Sequence, residues 1–330
     1  MDWFIYAGDD PGHKLMIMLI AMALFVLVMG LILFIVDRPA NAPKWLVTAG
    51  FVGPALLMLT VGLLYPGLDT IRKSLFNRNG TEFLGLDNYV RAFTEPQFLL
   101  VLGTTALWVL VAPAAATFLG LVYAVVVDKS RFEKFAKALV FLPMAISMVG
   151  ASIIWKFVYE YKPNTGAVEQ TGLLNQVLVW LGGEPIQFLL QRPLNNFLLM
   201  VVLIWIQTGF AMTLLSASIR AIPDDIVEAA RLDGLSGLGM FWRITIPSIR
   251  PALVVVLTTI AMTTLKSFDI VRTMTAGRYG TSIVANEFYE QSFRQNNAGF
   301  GAALAVLLFV IVIPIIIYNV RQMRLAEEVR

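Results

Sequence analysis

The sequence predicts an all-α integral membrane protein with about seven membrane-crossing helices. Composition is the first reason: 58% of the 330 residues are hydrophobic and only 14% are charged, whereas soluble domains carry about 25% charged residues. A mean hydropathy of +0.75 agrees. The second is length. Seven apolar segments, near residues 15–36, 45–66, 99–127, 138–158, 194–218, 252–270 and 302–320, match the roughly 20 residues needed to cross a hydrocarbon core. The third is what lies between them. The outer loops, near 67–98, 160–193 and 271–301, are too short for independent domains.

Missing residues exclude much chemistry. The chain has no cysteine and one histidine, His13, so disulfides, zinc–thiolate sites, thiol nucleophiles and multi-histidine metal clusters are ruled out, and a Ser-His-Asp triad is implausible. A net charge of +3 without a long basic run gives no reason to expect nucleic acid as a partner.

Lys14 before the first span and Ala40-Asn41-Ala42 after it imitate a signal peptide. Its apolar run is longer than the roughly 7–15 residues of a signal core and a second span follows at once, so we read a retained helix. Pro54, Pro113, Pro143 and Pro314 fall inside later spans, where neighbouring helices can satisfy the freed backbone groups. Lys129, Arg131, Lys134 and Lys137 crowd the short loop before the fourth span. Arg220, Arg231, Arg243 and Arg250 flank the connection between the fifth and sixth spans, and Arg321, Arg324 and Arg330 follow the seventh. Seven spans put these on one side, with Arg38 and Lys44, and the positive-inside rule makes it cytoplasmic. The N-terminus, with Asp2, Asp9 and Asp10, then lies outside and the C-terminus inside. Arg72, Lys73 and Arg278 on the other side are spread over longer loops. One outer piece, L-L-N-Q-V-L-V-W-L, suits a helix lying along the membrane surface, or a simple cap over the spans.

The fifth-to-sixth connection is unusually polar. Pro223-Asp224-Asp225 reads as a helix start, with carboxylates near the positive end of the dipole, and Gly234 ends that helix. A second helical piece leads from about Leu238 to Pro247. From the residues alone this is a helical hairpin on the cytoplasmic side, or an ordinary amphipathic connector.

The spacing is more specific. E-A-A, three residues, G, nine residues and I-x-I-P resembles the signature loop of permease subunits in ABC importers. Glu228, Ala229, Ala230, Gly234, Ile244 and Pro247 match it, with Ile246 where leucine is commoner. A-I-P-D-D-I-V before it and L-D-G within it resemble the sugar branch. The likeness covers most of the chain after about residue 45, including G-L-D-N-Y-V-R-A-F and F-L-P-M-A-I-S-M-V-G-A-S-I-I-W.

The resemblance implies a type I ABC importer permease: a six-helix core over 45–330, with 1–44 an extra N-terminal helix and linker. It implies that a loop near 219–250 docks into a separate ATPase subunit through Glu228, Ala229, Ala230, Asp233 and Gly234, with Glu228 making polar contacts, Ala229 and Ala230 packing closely and Gly234 providing the turn. The chain has no G-x-x-x-x-G-K-[ST] phosphate loop, so no cofactor is expected here, with ATP and magnesium on the ATPase chains. The implied partners are a second homologous permease, two ATPase subunits forming a homodimer and an external sugar-binding protein, in the inner membrane of a bacterial cell. The larger maltose-type permeases have further N-terminal spans and a large external loop that this chain lacks, so that loop's contacts do not carry over.

Polar groups at membrane depth are costly and charged ones usually functional. Thr263, Thr264, Lys266, Ser267 and Asp269 stand out in the sixth span, and Trp205, Gln207, Thr208 and Phe210 in the fifth. In a continuous helix Thr263, Thr264 and Ser267 share one face. Uncharged hydrogen-bonding groups beside an aromatic ring suit a sugar, although Ser and Thr also join membrane helices to one another. Gln207, Phe210, Thr263, Thr264 and Ser267 align with sugar-contacting positions of the maltose-type permeases. For Lys266 and Asp269 an internal ion pair is favoured over contact with solute. T-M-T-A-G-R-Y-G-T-S-I-V-A-N-E-F-Y and F-G-A-A-L-A-V-L-L-F-V-I-V-I-P resemble permeases for maltose, trehalose and other α-glucosides. Glycerol phosphate permeases share the architecture, but phosphate calls for a cationic pocket, and only Lys156 and Lys266 lie within spans. A secondary transporter would show an internal repeat and a coupling-ion site, and neither is evident; a membrane enzyme would depend on scattered carboxylates.

Overall fold

The structure, a computed structural model, describes residues 11–37, 44–127, 132–163 and 171–328. Asp2, Asp9, Asp10, Arg38, Ala40 to Ala42, Lys129, Arg131 and Arg330 lie outside them. The chain divides into two compact units, residues 1–69 and 70–330.

The first unit holds α1, Pro11–Asp37, and α2, Lys44–Leu59, which contains Pro54. A π-helical turn, Thr60–Leu64, leads from α2 into α3, Tyr65–Ser74.

The second unit is built on long apolar helices. After the short α4, Asp87–Thr94, comes α5, Pro96–Val127, with Pro113 buried inside it. The next are α6, Glu133–Phe141, α7, Met148–Val158, α8, Leu173–Trp180, and α9, Leu194–Arg220. The polar connection forms α10, Asp224–Leu232, and a short α11, Gly237–Met240. A π turn, Phe241–Thr245, opens into α12, Ile246–Leu265. Three helices close the unit: α13, Phe268–Met274, α14, Val284–Tyr289, and α15, Ala298–Glu328, which contains Pro314.

Among the described residues five helical runs are long and apolar enough to cross a membrane: Thr48–Ser74, Pro96–Val127, Leu194–Arg220, Gly237–Leu265 and Ala298–Gln322. The pair α6 and α7 makes a sixth if counted as one broken span, and Lys14–Gly30 within α1 is a shorter apolar helix. Helix α9 is the centre of its unit, with 61% of its most apolar window buried against 33% for α5 and α15. It lies along α5, and α12 packs on both and on α15. One core cluster gathers Trp108, Leu199, Met200, Leu203 and Ile270. Another gathers Ala116, Ala211, Met212, Leu215, Val256 and Ile260. Gly120 makes the α5–α9 contact possible, because a Cβ there would strike Ala211 and stand 2.7 Å from the Met212 nitrogen. Small residues let helices approach in lipid, where packing replaces the hydrophobic drive.

Two expected spans are not continuous. The fourth, 138–158, is broken: α6 and α7 meet at 103°. Pro143 sits in the 3₁₀ turn Leu142–Ala145, Ile146 is extended at φ −92° and ψ 138°, and Ser147 starts α7 by accepting from the Gly150 N–H at 3.1 Å. Proline removes a helix donor and a serine cap begins a new helix, so the chain turns here. The sixth, 252–270, ends at Leu265 and restarts at Phe268 after Ser267, at φ −74° and ψ 55°.

Candidate functional site

The polar connection folds into a short helix closed by a hydrogen-bonded turn. Pro223, extended at ψ 138°, precedes α10, and Asp224 and Asp225 occupy its first turn. Its end is a Schellman turn. The Leu235 N–H donates to the Ala230 carbonyl and the Gly234 N–H to that of Arg231, both at 3.0 Å, with Gly234 at φ +81°. Asp233 is the C-cap, its N–H donating to the Ala229 carbonyl. Ala230 is buried, whereas Glu228, Ala229, Arg231 and Asp233 are exposed. Leu232 is 89% exposed and Leu238 76%, and Trp242, edge-on to Phe241 at 5.2 Å, is exposed as well. A short capped helix with a small-residue face, charges and uncovered apolar side chains is suited to docking another protein.

This helix is tied to the rest of the unit through the end of α9. Arg220, the last residue of α9, donates to Glu133 Oε1 of α6. Lys137 Nζ donates to that same oxygen at 3.0 Å and to Ser216 Oγ at 2.6 Å. The Lys137–Ser216 and Glu133–Arg220 pairs are 79 and 87 residues apart in sequence, and no local pattern announces those two.

At membrane depth the structure separates the candidate solute contacts. Gln207, Phe210 and Thr263 are half-buried, while Thr264 and Ser267 are fully enclosed. Each hydroxyl donates to a carbonyl one turn back: Thr263 to Thr259 at 3.0 Å, Thr264 to Ile260 at 2.8 Å and Ser267 to Thr263 at 3.0 Å. The shared hydroxyl face expected of a continuous helix does not form, because α12 ends at Leu265 and Ser267 falls in the break. The same break overturns the expected Lys266–Asp269 ion pair. Lys266 is exposed at the end of α12, Asp269 is half-buried on α13, and no ion pair joins them. Lys266 instead borders a groove of about 540 Å³ with Phe268, Phe288, Tyr289 and Phe309 among its walls. Thr208 uses its hydroxyl on the Ile204 carbonyl at 2.7 Å, and Trp205 packs edge-on to Trp155 at 5.8 Å.

Sequence reasoning passed over a cleft of about 560 Å³ at the end of α7, lined by Lys156, Tyr159, Tyr161, Gln187, Phe188 and Thr273 among others. The run K-F-V-Y-E-Y-K was its visible signal, aromatic and polar residues interleaved just past an apolar span. Helix α8 shows how the outer loop is held. Asn175 is buried, donating to the Glu160 and Ile186 carbonyls at 2.7 and 3.1 Å, while Leu173, Val177 and Trp180 face outward. Among the described residues no three His, Cys, Asp or Glu side chains converge as a metal site would require.

Comparison with known proteins agrees with this architecture. Residues 116–324 match the family described as binding-protein-dependent transport system inner membrane component. Over 280 residues the chain is 45% identical to the osmoprotective compounds uptake permease protein GgtC of Synechocystis sp., covering 85% of this chain and 100% of the relative. Over 287 residues it is 46% identical to the alpha-glucoside transport system permease protein AglF of Rhizobium meliloti, covering 86% of this chain and 84% of the relative. A chain in the crystal structure of a bacterial ABC transporter that imports the acidic polysaccharide alginate superposes with a TM-score of 0.73 at 21% identity, over 85% of this chain and 96% of that one. The last likeness is one of fold.

Proposed function

This chain belongs to the family of binding-protein-dependent transport system inner membrane components, and from that premise we propose that it is one permease half of an ATP-driven importer for an α-glucoside-class sugar. A second homologous permease completes the solute path. Two ATPase subunits, a homodimer, dock on the cytoplasmic side, and an external binding protein delivers the sugar. ATP and magnesium act on the ATPase chains. The N-terminus is outside and the C-terminus cytoplasmic.

The observation that carries the coupling role is the Schellman-capped α10, with Glu228 and Ala229 exposed on a short helix joined to α9 by only Ala221, Ile222 and Pro223. A helix so held transmits displacement instead of absorbing it. The sugar class rests on the alpha-glucoside permease relative and on Gln207, Phe210 and Thr263 as half-buried groups at membrane depth. In this reading Thr264 and Ser267, enclosed in the present conformation, reach solute only when the break beside them moves. The relative named for osmoprotective compounds, matched over its whole length, favours a second reading in which the solute is an osmoprotectant.

The test is the full complex in vesicles with loaded binding protein. Glu228→Lys with Gly234→Asp should abolish both solute uptake and solute-stimulated ATP hydrolysis while the membrane subunits remain assembled. Unchanged transport would reduce the loop to a connector. Offering maltose and trehalose, and separately a non-sugar osmoprotective solute such as a betaine, decides between the two readings by which one accumulates.

A further inference from the structure

We infer that Glu133 and Arg220 are positioning residues that lock α6 to α9 as one lever carrying α10, with the bend at 142–147 as its hinge; this rests on the coupling reading above. Glu133 and Lys137 are one turn apart on α6, and Ser216 and Arg220 one turn apart on α9. Lys137 bonds Glu133 and Ser216, and Arg220 bonds the same Glu133 oxygen, so two helix turns are stitched by one carboxylate and two cations. The seam continues toward the membrane. Gly209 of α9 lies beneath the far end of α6, where an added Cβ would stand 2.6 Å from the Val140 oxygen and 3.1 Å from the Phe141 Cα.

Helix α6 is thus held to α9 along its length, while the 103° break separates it from α7. Helix α7 packs chiefly on α13 instead. Only three residues separate Arg220 from α10. A push on α10 therefore reaches the end of α9 directly, the ion cluster carries α6 with it, and the extended residue Ile146 takes up the rotation relative to α7. Without the cluster the last turn of α9 bends and the displacement is lost before it reaches the span.

The experiment uses the assembled complex in vesicles with its binding protein and maltose or trehalose, whichever that protein delivers. Glu133→Arg and Arg220→Glu should each lower sugar taken up per ATP hydrolysed about fivefold, as expected when a half-exposed pair becomes a like-charge one, and the double swap should restore it. The chain lacks cysteine, so Glu133→Cys with Arg220→Cys can be bridged by a short bis-maleimide. The unbridged pair should be uncoupled and the bridged pair coupled again, even if the charge reversals fail to assemble. Parent-like coupling in the single variants, a swap that assembles without restoring coupling, or a bridge that stops transport would overturn the lever. Glu228→Lys with Gly234→Asp is measured alongside. If that variant stays coupled, the docking role of α10 fails; if it uncouples while the Glu133 and Arg220 variants do not, the lever alone is wrong.

Discussion

Gly234 and Lys266 show how single positions decide local behaviour. At φ +81° a side chain would meet the steric penalty of the left-handed region, about 1–2 kcal/mol, although nothing lies within 4 Å of the site. Gly234→Ala should therefore act through the backbone alone, loosening the turn after α10, with Gly234→Asn milder. The expected result is limited proteolysis between Leu232 and Leu238 that is about fivefold faster for alanine, since cleavage follows the open population. Lys266 and Asp269 give a second test. Because the break in the sixth span leaves them unpaired, Lys266→Met and Asp269→Asn should affect uptake independently. A double-mutant cycle should close within about 0.5 kcal/mol, whereas a coupling energy well above that would mean the two charges meet.

Among the elements, the bend of the fourth span depends on three adjacent features: Pro143, the extended Ile146 and the Ser147 cap. Ser147→Ala removes the acceptor for the Gly150 N–H and should cost about 1 kcal/mol, read as a lower melting temperature of the purified complex. An unchanged melting temperature would show that packing alone starts α7. Long helices were legible in the sequence because length and hydropathy determine them: α5, α9 and α15 fall where the apolar runs lie. The polar hairpin was legible too, since Pro223 and Gly234 punctuate it. Breaks were legible only in part. Pro143 marked a position without saying whether the helix kinks or turns by 103°. The interruption after Leu265 contains neither proline nor glycine, so no local signal marks it, and the helix that follows packs on α7, distant in sequence. The Glu133–Arg220 cluster was invisible, because an ion pair across 87 residues leaves no local pattern.

At the scale of the molecule, two sets of features must lie on opposite sides of the membrane. Helix α10, the exposed Leu232, Leu238 and Trp242, and the Glu133–Lys137–Arg220 cluster all sit at the ends of spans that the arginine and lysine distribution assigns to the cytoplasm. The cleft at the end of α7 and the outward face of α8 sit at the other ends of those spans. Charge counting alone separates the sides weakly, since Arg72, Lys73 and Arg278 oppose the bias. The proposed coupling role requires the same orientation, because α10 could meet an ATPase supplied with cytoplasmic ATP from one side only. Asp225 and Glu184 are both exposed, on opposite sides in this arrangement. With no native cysteine to mask the signal, Glu184→Cys should react with a membrane-impermeant maleimide added to intact cells. Asp225→Cys should react only after the membrane is opened. The reverse pattern would invert the chain, place α10 away from ATP and remove its coupling role together with the lever built on it.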